Sequence, residues 1–104
     1  MVRKSASLTC LVLMTTAVNA QPLGDVEKGR AIAGQICAEC HAIHPGEKSP
    51  RVESPTFEKI ASTPGMTELA IKVWLQTPHP TMPNLMLPVN DREDVAAFIT
   101  SLKK

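Results

Sequence analysis

The chain has 104 residues, 11 Lys+Arg against 10 Asp+Glu and a formal charge of +1. It holds two phenylalanines, one tryptophan and no tyrosine. That balance lacks the basic footprint of a nucleic-acid binder and the polybasic patch of a membrane-surface protein. The length allows one small domain with little core of its own.

The chain opens on Met1-Val2-Arg3-Lys4, runs apolar from Leu8 to Met14 and reaches Val18-Asn19-Ala20. A basic start, a short apolar stretch and a small-residue end are the parts of a secretory signal peptide. The stretch is too short to span a bilayer and lacks the periodicity of a buried helix. Cys10 lies inside it rather than after it, which argues against lipidation. The expected division is therefore 1–20 signal peptide and 21–104 mature domain, with no membrane span left after cleavage and a periplasmic destination. Loss of Arg3 and Lys4 takes the formal charge from +1 to −1 and leaves Cys37 and Cys40 as the remaining cysteines.

After a linker at Gln21 to Gly24, Asp25 is a helix cap and Val26 the expected start. Gly29, Ile32, Ala33 and Ile36 fall on one helical face, and the small pair Gly29/Ala33 suits a close crossing by another helix. This helix leads into Cys37-Ala38-Glu39-Cys40-His41. Two cysteines three apart and a histidine directly after them read as a c-type haem attachment site. Two thiols on one helical turn reach two vinyl groups on a porphyrin edge, and the next residue offers an imidazole to the iron. A zinc site using Cys37, Cys40 and His44 lacks its remaining ligands, and a thioredoxin-like pair lacks a βαβ setting.

His44 to Pro50 is a loop by its Pro and Gly content. Ser54-Pro55 reads as a cap and first-turn proline of a short helix with Phe57, Ile60 and Ala61 inward. Thr63-Pro64-Gly65 is a turn. Leu69 to Leu75 is helical, capped by Thr67 or Thr63; its dense apolar pattern predicts burial on most sides, with Trp74 in the core. Thr77 to Val89 carries Pro78, Pro80, Pro83 and Pro88, so it is an ordered loop, and it holds Met82 and Met86. Asn90 to Glu93 has the form of a capping box. Val95, Phe98, Ile99 and Leu102 then form one apolar stripe towards the C-terminus.

The haem motif, the Met82-Pro83 pair and the run Arg92-Glu93-Asp94-Val95-Ala96-Ala97-Phe98-Ile99 together resemble the class I c-type cytochromes across nearly all of the mature chain. The resemblance implies an all-α cytochrome c fold of three to five helices around one haem c, held covalently through Cys37 and Cys40. By the same resemblance His41 is the proximal ligand and the Pro55 carbonyl accepts its second N–H. Trp74-Leu75 packs near the haem on the methionine side, and Met82 is the distal ligand. Gly29 and Ala33 meet Phe98 at a helix crossing. Met86, His79 and His44 are competing donors for the distal role. The loop from Pro78 to Met82 is shorter than in the mitochondrial proteins, and their lysine-rich surface is absent.

A filled sixth position leaves no substrate site, so the resemblance implies a one-electron carrier between redox partner proteins and not an enzyme. Such a chain acts as a monomer or as a subunit of a redox complex. A haem c subunit of a periplasmic dehydrogenase fits the same residues, whereas an open-site haem sensor or peroxidase needs Met82 off the iron.

Overall fold

A computed structural model describes Val2 and residues 11–17, 23–77 and 79–104. Arg3, Lys4, Cys10, Ala20 with the cleavage expected after it, Gln21 and Pro78 lie outside them. Residues 11–17 form no helix, and Leu11 to Met14 are exposed.

Among the described residues there are four helices and no strand: α1 Val26–Ile36, α2 Phe57–Ala61, α3 Glu68–Gln76 and α4 Val89–Ser101. None is long and apolar enough to cross a membrane. α1 begins at its expected cap, with Asp25 Oδ1 accepting the Lys28 N–H at 3.0 Å. α3 is capped by Thr67, whose hydroxyl accepts the Ala70 N–H at 3.1 Å.

Two expected caps differ. α2 is capped by Thr56, which accepts the Lys59 N–H at 3.1 Å, and not by Ser54. Pro55 consequently stays outside the helix with its carbonyl free for another donor. α4 has no side-chain cap and starts after Pro88, with Asn90 inside the helix. Glu93, the glutamate of the expected box, and Asp94 just after it make contacts outside the helix. Glu93 pairs with Lys72 of α3 at 3.9 Å, and Asp94 Oδ1 accepts the Asp25 N–H at 2.7 Å.

α1 packs most extensively on α4, which also contacts α2 and α3. At the crossing Gly29 is buried, and a Cβ there would overlap the Asp94 carbonyl and come within 2.9 Å of Phe98 Cβ. Phe98 and Val95 are the largest fully buried side chains. Arg30 lies over the Phe98 ring, 5.5 Å from its centroid. The expected meeting of Gly29 and Ala33 with Phe98 is present, and it holds the chain entering and leaving the site in one frame.

α3 departs from its expected burial. Only Ile71 is buried; Leu69, Val73 and Trp74 are exposed, Trp74 by 54%. Trp74 is thus not a core residue. Its helix forms a wall with one thin seam against α4, and the Trp74 side of that wall faces a cavity.

Candidate functional site: a cavity with a thiol pair, an imidazole and a thioether

α1 ends at Cys37, and tight turns carry its winding through the motif. The Cys37 N–H reaches the Ala33 carbonyl at 2.8 Å, and the Cys40 and His41 N–H groups reach the Cys37 carbonyl at 3.1 and 2.9 Å. This local winding presents Cys37, Cys40 and His41 to one cavity of about 610 Å³, a size that suits a small-molecule or cofactor site. Both cysteines are free thiols, Cys37 buried and Cys40 half-buried. Burial, and next the neighbouring Cys40, push the Cys37 thiol up to about 11. Redox-active pairs instead hold a thiol at a lowered value.

The His41 ring is fixed from behind. Its Nδ1 lies 2.6 Å from the Pro55 carbonyl oxygen. A carbonyl only accepts, so Nδ1 is the donor in this contact, which leaves Nε2 as the ring nitrogen available to another partner. The Phe57 ring lies 5.5 Å from the imidazole centroid and 6.0 Å from the Phe98 ring, which couples the histidine to the α1–α4 crossing. The loop before α2 is tied back to the motif by the Phe57 N–H to the Ala42 carbonyl at 2.9 Å and the Arg51 N–H to the Cys40 carbonyl at 3.3 Å.

Of the sulfurs in the proline loop, Met82 lines this cavity, whereas Met86 is 88% exposed and does not. Pro55 and Trp74 are also in the lining, so all six residues singled out from the sequence meet in one place. His44 does not line it. His79 does, and its ring makes an edge-on contact with Trp74 at 5.6 Å. Ile71, Leu75, Leu85 and Ile99 make much of the remaining wall apolar. Their part was hidden in the sequence, because a residue of an apolar stripe that faces a cavity looks like one that faces a core. Glu39 and Glu53 are the charged carboxylates in the lining. Among the described residues no cluster of three His, Cys, Asp or Glu side chains could hold a metal alone. The cavity brings together two thiols, an imidazole braced by a backbone carbonyl and a thioether within a largely apolar enclosure. A haem fits these residues.

No protein-family model and no solved structure matches the chain. A curated relative does: cytochrome c-552 of Bradyrhizobium diazoefficiens is 32% identical over 95 residues, covering 90% of this chain and 91% of that one. With that identity across nearly the full length and an all-helical fold around the cavity just described, the chain belongs to the class I c-type cytochromes.

Proposed function

We propose that this cytochrome, a haem-binding electron-transfer protein and not an enzyme, is a periplasmic one-electron carrier with a single haem c and His41/Met82 ligation. The observation that carries the reading is the His41 Nδ1 contact with the Pro55 carbonyl at 2.6 Å, beside two free thiols on one cavity wall. That hydrogen bond selects the tautomer whose Nε2 can ligate iron, fixes the ring plane and raises the basicity of the ligating nitrogen. Cys37 and Cys40 would each add across a vinyl group, the sulfur to one carbon and the thiol hydrogen to the other, giving two thioethers. Met82, in the cavity lining where Met86 is not, would supply the sixth ligand. Bound there, a haem supplies an iron that alternates between ferric and ferrous states one electron at a time.

The protein's own residues set the conditions for that exchange. A thioether on the Met82 side favours the reduced state and raises the potential over a two-histidine site. Ile71, Leu75 and Ile99 give the cavity an apolar wall, with Trp74 on its flank. Exposed Gln35, Ile36 and Glu39 rim the cavity next to Cys37 and Cys40, which makes this rim the natural approach for a redox partner. The segment 1–20 would direct export and be removed, leaving Gln21 as the first residue.

Absorption spectra, redox titration and intact mass of exported protein test the reading. Expected are a mass of the chain from Gln21 plus one haem, a sulfur–iron charge-transfer band at the red edge of the oxidised spectrum, and loss of that band with a lower potential in Met82→Ala but not Met86→Ala. A haem-free, uncleaved mass from a host able to mature cytochromes, or a band lost only with Met86→Ala, would refute the corresponding part.

A further inference from the structure

The rim beside the thiol pair carries charge of one sign. Glu39, between Cys37 and Cys40, and Glu53, two residues before Pro55, both line the cavity and are exposed. Among the described residues no lysine or arginine lines it. Lys48 and Arg51, in the loop that leads to Glu53, are exposed but outside the lining. The Arg51 N–H meets the Cys40 carbonyl at 3.3 Å, which ties the loop carrying Glu53 to the motif carrying Glu39. Elsewhere glutamates are neutralised within the chain: Glu27 pairs with Arg30, Glu93 with Lys72 and Glu58 with Lys104. Among the described residues neither Glu39 nor Glu53 has such a partner. Exposed Gln35 and Ile36, the latter by 41%, give the rest of this rim an uncharged surface. An uncharged area with charges beside it is the anatomy of a transient protein interface.

We infer that this rim docks a redox protein whose contact face carries lysine or arginine side chains, with Glu39 and Glu53 as the carboxylates that recognise it. The inference rests on the carrier reading above and adds the charge of the partner. Complementary charge around a contact speeds encounter and excludes wrong partners more than it raises affinity, which suits a brief docking. The whole chain, at a formal charge of +1, offers no such preference, so the selectivity is local to the rim. A second copy of this chain would bring the same two carboxylates and is disfavoured there.

Stopped-flow oxidation of reduced holoprotein tests the sign and the place of this charge. The probes are the cation tris(phenanthroline)cobalt(III), the anion ferricyanide and a lysine-rich mitochondrial cytochrome c, each taking one electron. A change in potential moves the two small-probe rates the same way, so their ratio reads the rim. Glu39→Gln with Glu53→Gln should lower the cobalt-to-ferricyanide ratio about tenfold at low ionic strength. Glu27→Gln makes a like charge change at the far end of α1, about 13 Å from Ile36 at 1.5 Å per residue, and should leave the ratio near the parent's. Transfer to the lysine-rich cytochrome should slow as salt is added to the parent and lose most of that dependence in the double variant. If the ratio does not fall in the double variant, or falls as far in Glu27→Gln, or if salt does not slow the parent's transfer to the lysine-rich protein, the acidic rim recognises no basic partner while the carrier reading stands. If the reduced parent passes an electron to none of the three, the carrier reading fails first and the docking face fails with it.

Discussion

A single ring shows how much one residue carries. Phe98 is buried between α1 and α4, touches Phe57 and lies under Arg30, so its removal leaves a cavity at the centre of the frame. Phe98→Ala should cost about 3–5 kcal/mol, read by chemical denaturation of the holoprotein. Glu58 gives a second residue-scale test. A hydrogen bond from Lys104, and then the Gly46 N–H, hold its carboxyl below the usual carboxylate value. A lowered folded-state value means stability that is present above the ordinary carboxylate range and is lost as pH falls through the folded value. Melting temperatures from pH 7 down to pH 3 should therefore drop more steeply for the parent than for Glu58→Gln, the two curves converging in acid. Parallel curves would remove Glu58 from the acid response. At this scale the spacing of Cys37, Cys40 and His41 anticipated their meeting in one cavity, and Met82, favoured over Met86 by the resemblance, lines that cavity where Met86 does not. Leu69 and Val73 were expected to be buried and lie exposed, because a dense apolar pattern does not say which face of a helix finds a partner.

Elements were legible in their existence more than in their ends. Asp25 and Thr67 cap as their side chains predict, but at α4 the expected box loses to a tertiary partner, Lys72, which takes Glu93, and the neighbouring Asp94 accepts the Asp25 N–H. Local capping is worth about 1 kcal/mol, so contacts between helices can redirect the same carboxylates. The α1–α4 crossing allows a test with an internal control. Helix propensity alone makes Gly→Ala favourable by about 1 kcal/mol in a helix interior. At Gly34, where a new Cβ would meet only Ile43 Cδ1 at 4.0 Å, the substitution should stabilise by up to that amount. At Gly29 the same methyl would run into the Asp94 carbonyl, so Gly29→Ala should destabilise despite its better propensity. Denaturation midpoints of the two single variants suffice; equal shifts of the same sign would mean that α1 and α4 do not approach at Gly29.

At the scale of the molecule, three to five helices in a domain with little core of its own were expected, and among the described residues four helices surround a cavity of about 610 Å³. The longest helix, α4, has 13 residues, α2 has five, and α3 buries only Ile71. Isolated helices of this length are marginal in water, so tertiary packing must supply their stability. The packing that exists is concentrated at α1–α4, while the Cys37–His41 turn, α3 and the loop carrying Met82 meet chiefly around the cavity. A group that binds only the folded chain adds its binding free energy to folding, and covalent attachment prevents that group from leaving. Cys37→Ala and Cys40→Ala should therefore each weaken haem retention, and the double variant should yield a haem-free chain without a cooperative melt. Far-ultraviolet circular dichroism of that chain should show reduced helix, with α2 and α3 lost before α1 and α4, since the latter pair has the buried Gly29–Phe98 contact independent of the cavity. Amide exchange resolves the order: protection surviving at α1 and α4 alone supports this division of labour. A haem-free double variant that melts sharply with all four helices protected would show that the helices need no group in the cavity to hold them.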